Sequence, residues 1–112
     1  MTITRTITRL AGAALALLAA AVPATADPAA GRAKAQMCQV CHGFDGLGKN
    51  PDVPNIAGDS QNYLVRQLKA FRSGERQHEQ MSIIAQSLSD EDIQNLSAYY
   101  AAITVTATPP TL

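Results

Sequence analysis

The sequence predicts an all-α domain in which three to four helices gather around a long central loop. Three observations carry that expectation. No stretch of the 112 residues alternates apolar and polar side chains with a period of two. Two segments, 60–73 and 89–103, repeat apolar residues at helical spacing. Gly43 to Asp59 holds four glycines and two prolines without any apolar period, and a loop of that length is usually functional. The formal charge is +0, with nine cations against nine anions, which argues against a nucleic-acid binder. The 2 cysteines are too few for a disulfide scaffold.

The first 26 residues read as a secretory signal peptide. Arg5 and Arg9 precede an apolar run from Leu10 to Val22, and Pro23 stands before Ala24-Thr25-Ala26. The run is 13 residues long, short of the ~20 that span a bilayer. The expectation is export with cleavage after Ala26, a periplasmic location and no stable membrane insertion. Residues 27–103 then form one domain, and 104–112 a flexible Thr/Pro-rich tail. Without the leader the balance is seven cations to nine anions. So small a chain buries a modest fraction of its surface and usually needs a staple.

Asp27 to Met37 is Ala-rich and begins Asp-Pro, a helix start. From Ser60, Leu64, Leu68 and Phe71 fall at i, i+4 and i+7, and Gly74 supplies a stop. Glu75 to Gln80 is polar and reads as loop, followed by a short helical turn around Ile83, Ile84 and Leu88. Ser89-Asp90-Glu91-Asp92 has capping-box spacing, and Ile93, Leu96, Tyr100 and Ile103 form the stripe of the last helix.

Both cysteines fall in Cys38-Gln39-Val40-Cys41-His42. Cys-x-x-Cys-His is the attachment signal of c-type haem. On one helical turn the two thiols reach the two vinyl groups along one edge of the macrocycle. The adjacent His42 can then bind the iron from the same side. A Cys38–Cys41 disulfide would close too short a loop to constrain much. A thioredoxin-like pair lacks its βαβ context, and a zinc site lacks four ligands.

The second axial ligand must approach the opposite face. Met81, 39 residues after His42, heads an apolar segment and would give His/Met coordination, which raises the potential relative to bis-His. His78 is its rival as a ligand, and a Met beside Ile83 and Ile84 could equally fill core space.

Around these motifs the chain resembles a class I cytochrome c, over nearly all of 27–103. The resemblance includes Pro54-Asn55-Ile56-Ala57-Gly58, Tyr63 to Leu68, Phe71 to Arg76 and Met81 to Ile103. It is most similar to the single-domain relatives of bacterial diheme, tandem-domain cytochromes c. The resemblance implies the cytochrome c fold around one covalent haem c, with Cys38 and Cys41 as thioether attachments. It also implies His42 and Met81 as iron ligands, a Pro54 carbonyl accepting from the ligand histidine, and a Gly31–Tyr99 contact where the terminal helices cross. One departure is Asp59, where many relatives carry Gln.

The functional expectation is a monomeric electron carrier rather than an enzyme, with a haem whose two axial sites are filled by protein. It would meet redox donors and acceptors in transient docking near the haem edge. Lys49, Arg66, Lys69, Arg72 and Arg76 are candidate steering charges or simply solvated surface. The alternative is a haem c subunit of a periplasmic dehydrogenase complex.

Overall fold

The computed structural model describes residues 25–112, so the expected signal peptide lies almost wholly outside the described residues. The chain forms α1 (Pro28–Lys34), a 3-10 turn (Ala35–Met37), α2 (Gln39–His42), α3 (Gln61–Ser73), α4 (Glu79–Gln86) and α5 (Asp90–Ala101). The described residues are helical with no strand, as expected for an all-α fold. The count differs from three to four helices: among the described residues there are five, of which α2 is a single turn and α4 begins earlier than its apolar pattern suggested.

The terminal helices organise the rest. Asp27 caps α1 by accepting from the Ala29 amide at 2.8 Å, and Pro28 fills the first helical turn, where a missing N–H is no loss. The Asp27 amide in turn donates to Asn95 Oδ1 of α5 at 2.7 Å. Midway along α1, Gly31 is buried against the other helix: a Cβ there would lie 2.0 Å from the Asn95 carbonyl oxygen and 2.9 Å from Tyr99 Cβ. No larger residue allows the two backbones this approach. Lys34 closes the crossing with an ion pair to Asp92 at 3.1 Å.

Helix α5 starts with a complete capping box. Ser89 Oγ accepts from the Asp92 amide and Asp92 Oδ2 from the Ser89 amide, both at 3.0 Å. Ile93, Leu96 and Tyr100 then bury their side chains with Ala35, Leu64 and Leu88 in one core. The apolar stripe expected of α5 therefore holds, although the helix stops at Ala101 and Ile103 packs on the core from beyond its end. Helix α3 is capped by Ser60 and ends at Gly74, whose left-handed φ of 83° lets the chain turn back. It packs against both α5 and α4. Arg72 links α3 to the start of α5 by donating to the Leu88 carbonyl and to Asp90.

The polar segment before α4 is where expectation and structure part. His78 supplies the cap: its Nδ1 accepts from the amides of Gln80 and Met81, and the helix begins at Glu79. Residues 104–112 carry no helix or strand and are exposed.

Two outcomes follow from this packing. Alanine at an open helical glycine site gains about 1 kcal/mol, but Gly31→Ala forces a methyl group into the α5 backbone. It should lose about 2 kcal/mol net and lower the melting temperature of the haem-loaded protein by about 10 °C. The second concerns acid. The Ser89 amide, and secondarily Lys34, hold the Asp92 carboxyl below its ordinary value despite some burial. Its contribution is therefore complete above the unfolded aspartate pKa of about 3.9 and fades as pH falls through the lower folded value. Asp92→Asn should flatten this part of the acid limb in a series of denaturant melts.

Candidate haem site

The site is built on α2 and the loop that leaves it. The backbone turns once between the cysteines, with the Cys41 and His42 amides both donating to the Cys38 carbonyl, at 3.2 and 2.9 Å. That turn puts the two thiols on neighbouring positions of one short helix, and His42, buried, directly after them. Burial pushes the Cys38 thiol up to about 11, aided by Cys41 and opposed by Lys34. Among the described residues no group of three or more His, Cys, Asp or Glu side chains gathers as a zinc site would require.

His42 Nδ1 lies 2.9 Å from the Pro54 carbonyl oxygen. A carbonyl only accepts, so Nδ1 carries the proton and the lone pair of the neutral ring is on Nε2. The loop brings Pro54 there by folding back on itself. The Lys49 amide donates to the Cys41 carbonyl at 2.8 Å, and the Gly48 amide to Asn55 Oδ1 at 2.8 Å. The Ile56 and Ala57 amides both reach the Gly46 carbonyl. Gly46, with φ of 71°, sits so near this strand of loop that a Cβ would lie 2.7 Å from the Ala57 nitrogen.

Two residues of α5 complete the support. The Tyr99 hydroxyl donates to the Phe44 carbonyl at 2.7 Å, and the buried Tyr100 hydroxyl to the Gly43 carbonyl at 3.0 Å. Burial, then the neighbouring Cys38, Tyr99 and Asp45, push the Tyr100 hydroxyl above its ordinary range, so it remains a donor throughout the physiological range. Arg32 of α1 lies 5.0 Å over the Phe44 ring. The Gly58 amide donates to the Tyr100 carbonyl at 2.9 Å, which fixes the far end of the loop to the same helix. The role of these hydroxyls was not legible from the sequence, where Tyr100 registers only as part of an apolar stripe.

Cys38, Cys41, His42 and Pro54 thus come together. Met81 stands on another element, the third residue of α4, half-buried. His78 is exposed and committed to capping. Of the five candidate steering charges, Lys49 pairs with Asp45, Arg72 with Asp90, and Arg76 donates to Gln67 while lying over the Phe71 ring. Arg66 and Lys69 are exposed and carry no ion pair among the described residues.

These residues fit a haem. Two thiols share one turn, and an imidazole beside them is oriented with Nε2 available. Cys38, Phe44, Ile56, Val65 and Leu68 form a half-buried apolar rim on the core, suited to a porphyrin face. Fold and site together define a small helical domain built to carry haem on a Cys-x-x-Cys-His turn. The chain belongs to the cytochrome c family, whose model matches residues 28–103. It is 46% identical over 79 residues to cytochrome c-554(548) of Halomonas halodenitrificans, a match covering 68% of this chain and 95% of that protein. It spans about two-fifths of the curated cytochromes c4 that it matches. The structure of reduced cytochrome c4 from Pseudomonas stutzeri superposes with a TM-score of 0.66 and 31% identity, over 70% of this chain and 46% of that one. Thiosulfate dehydrogenase (TsdBA) from Marichromatium purpuratum gives a TM-score of 0.67 and 33% identity, over 83% of this chain and 24% of that one. The chain is a class I cytochrome c that binds haem c covalently, and it is an electron carrier. No helix among the described residues is long and apolar enough to cross a membrane.

Removing one hydroxyl tests the clamp on the loop. Tyr100→Phe leaves the buried Gly43 carbonyl with only the long 3.4 Å bond from the Gly46 amide, and calorimetry of the haem-loaded protein should show a loss of about 1 kcal/mol.

Proposed function

We propose that this protein is a periplasmic, mono-haem c-type cytochrome that acts as a soluble one-electron carrier. Cys38 and Cys41 hold the haem by thioethers, and His42 and Met81 are the axial ligands of a low-spin iron. The observation that carries this reading is the 2.9 Å contact between His42 Nδ1 and the Pro54 carbonyl, made directly beside the thiol pair. A bond of this kind fixes the ring's tautomer and orientation and raises its basicity as a ligand.

The haem supplies the change of charge, one electron at a time. The chain's contribution is to hold the ring still, keep water off the apolar rim and fill both axial positions, so that no substrate binds the iron. His78 is disfavoured as the distal ligand by its own bonding. Its Nδ1 accepts two backbone amides at 3.3 Å, which places the neutral ring's proton on Nε2 and leaves no free lone pair. Met81, half-buried on the same element, offers a thioether instead. Partners would meet the exposed haem edge briefly, and the carrier would be a monomer. The leader at 1–26 supports export, and 104–112 is a flexible tail beyond the domain at 27–103.

The optical spectrum of the purified, haem-loaded protein tests the reading. Pyridine haemochrome bands of thioether-linked haem and a far-red sulfur-to-iron charge-transfer band are expected. Met81→Ala should abolish the far-red band and lower the midpoint potential. A band that survives this substitution would remove Met81 from the iron.

A second reading has its own support. One structural relative is a thiosulfate dehydrogenase, and a curated relative, 37% identical over 102 residues, is the thiosulfate dehydrogenase electron acceptor of Thiomonas intermedia. In that case the chain serves a dehydrogenase as its haem c subunit. A carrier elutes as a single chain, whereas a subunit purifies with a catalytic partner.

A further inference from the structure

We propose that His78 is a positioning residue for the distal haem ligand: by capping α4 it fixes the backbone of Met81 and so the reach of the Met81 sulfur. The inference rests on the reading of Met81 as that ligand.

Its basis is the geometry at the start of α4. Helix caps are usually Ser, Thr, Asp or Asn, whose short side chains fold back on the first turn. Here an imidazole does it, accepting from the amides of Gln80 and Met81 at 3.3 Å each. The His78 amide reciprocates by donating to Ser82 Oγ at 3.0 Å, and the Ser82 amide donates to the His78 carbonyl at 3.0 Å. A histidine reaches further than the usual caps. Its ring meets Phe71 edge-on, with centroids 6.4 Å apart and planes at 71°. Phe71 is buried near the end of α3, with the Arg76 guanidinium 4.5 Å over its ring. One side chain therefore ties the Met81 amide to the end of the neighbouring helix. Among the described residues, no other side chain of the polar segment 75–78 bonds the first turn of α4. Without the acceptor, the first turn of α4 has two amides to satisfy with water and is free to fray. Met81 lies in that turn.

Two substitutions in the haem-loaded protein separate the cap from the packing. His78→Phe keeps an aromatic edge for Phe71 and removes the acceptor. His78→Asn supplies a good cap without the ring. Added imidazole, which competes with the methionine for iron, is the probe, read together with the far-red charge-transfer band and the midpoint potential. His78→Phe should weaken the band and lower by about fivefold the imidazole concentration needed for half-displacement, the effect of one lost cap. His78→Asn should restore both to near the parent values. Unchanged imidazole displacement in His78→Phe overturns the proposal, as does an equal defect in His78→Asn, which would assign the effect to the ring. Met81→Ala is the separate control: a far-red band that persists there overturns the ligand reading and the proposal with it.

Discussion

The close crossing of the first and last helices is the constraint on which the haem-binding region depends. Gly31 lets the α1 backbone reach the Asn95 carbonyl, and that proximity sets where every residue of α5 lies relative to the start of the domain. Once α5 is placed, Tyr99 and Tyr100 are placed, and their hydroxyls determine where residues 43 and 44 run. The loop then closes on its own hydrogen bonds until Pro54 faces His42. A close contact between two backbones, far along the chain from the loop, thus governs the orientation of the His42 ring.

Burial and polarity are divided along the same line. The core of Ala35, Leu64, Leu88, Ile93, Leu96 and Tyr100 lies among the larger helices. Phe44, Ile56, Val65 and Leu68, half-buried, pack against it together with Cys38. A domain this small has little apolar area to spare, and a porphyrin against that rim adds a large apolar surface at a single stroke. A cofactor held there would serve as a structural member of the core as well as the redox group.

What could be read in advance was whatever is local in the chain. The attachment pentapeptide, the capping box at Ser89, the glycine stop at Gly74 and the irregularity of 43–59 are each a short-range pattern with a short-range cause. The pairing of Pro54 with His42 was accessible only by resemblance, because the two are twelve residues apart across an irregular loop that hides which carbonyl returns. The start of α4 was missed since histidine is an uncommon cap and Glu75 to Gln80 shows no apolar period. The tyrosine clamp was missed for a different reason. Helical spacing identifies a buried face, yet it says nothing of a hydroxyl whose acceptor lies more than fifty residues earlier in the chain.

The three bonds that frame the loop, from Tyr99, Tyr100 and His42, all end on main-chain carbonyls, those of Phe44, Gly43 and Pro54. A carbonyl is supplied by every residue type, so these three bonds make no demand on side-chain identity, and within the loop that demand falls on Asn55, whose Oδ1 accepts from the Gly48 amide. Surface positions such as Leu47, Asn50 and Asp52 are thereby released to vary. Such a loop can change in charge and bulk at its surface while the His42 ring keeps its bearing on the Pro54 carbonyl, so that the outer face and the histidine's orientation are separable.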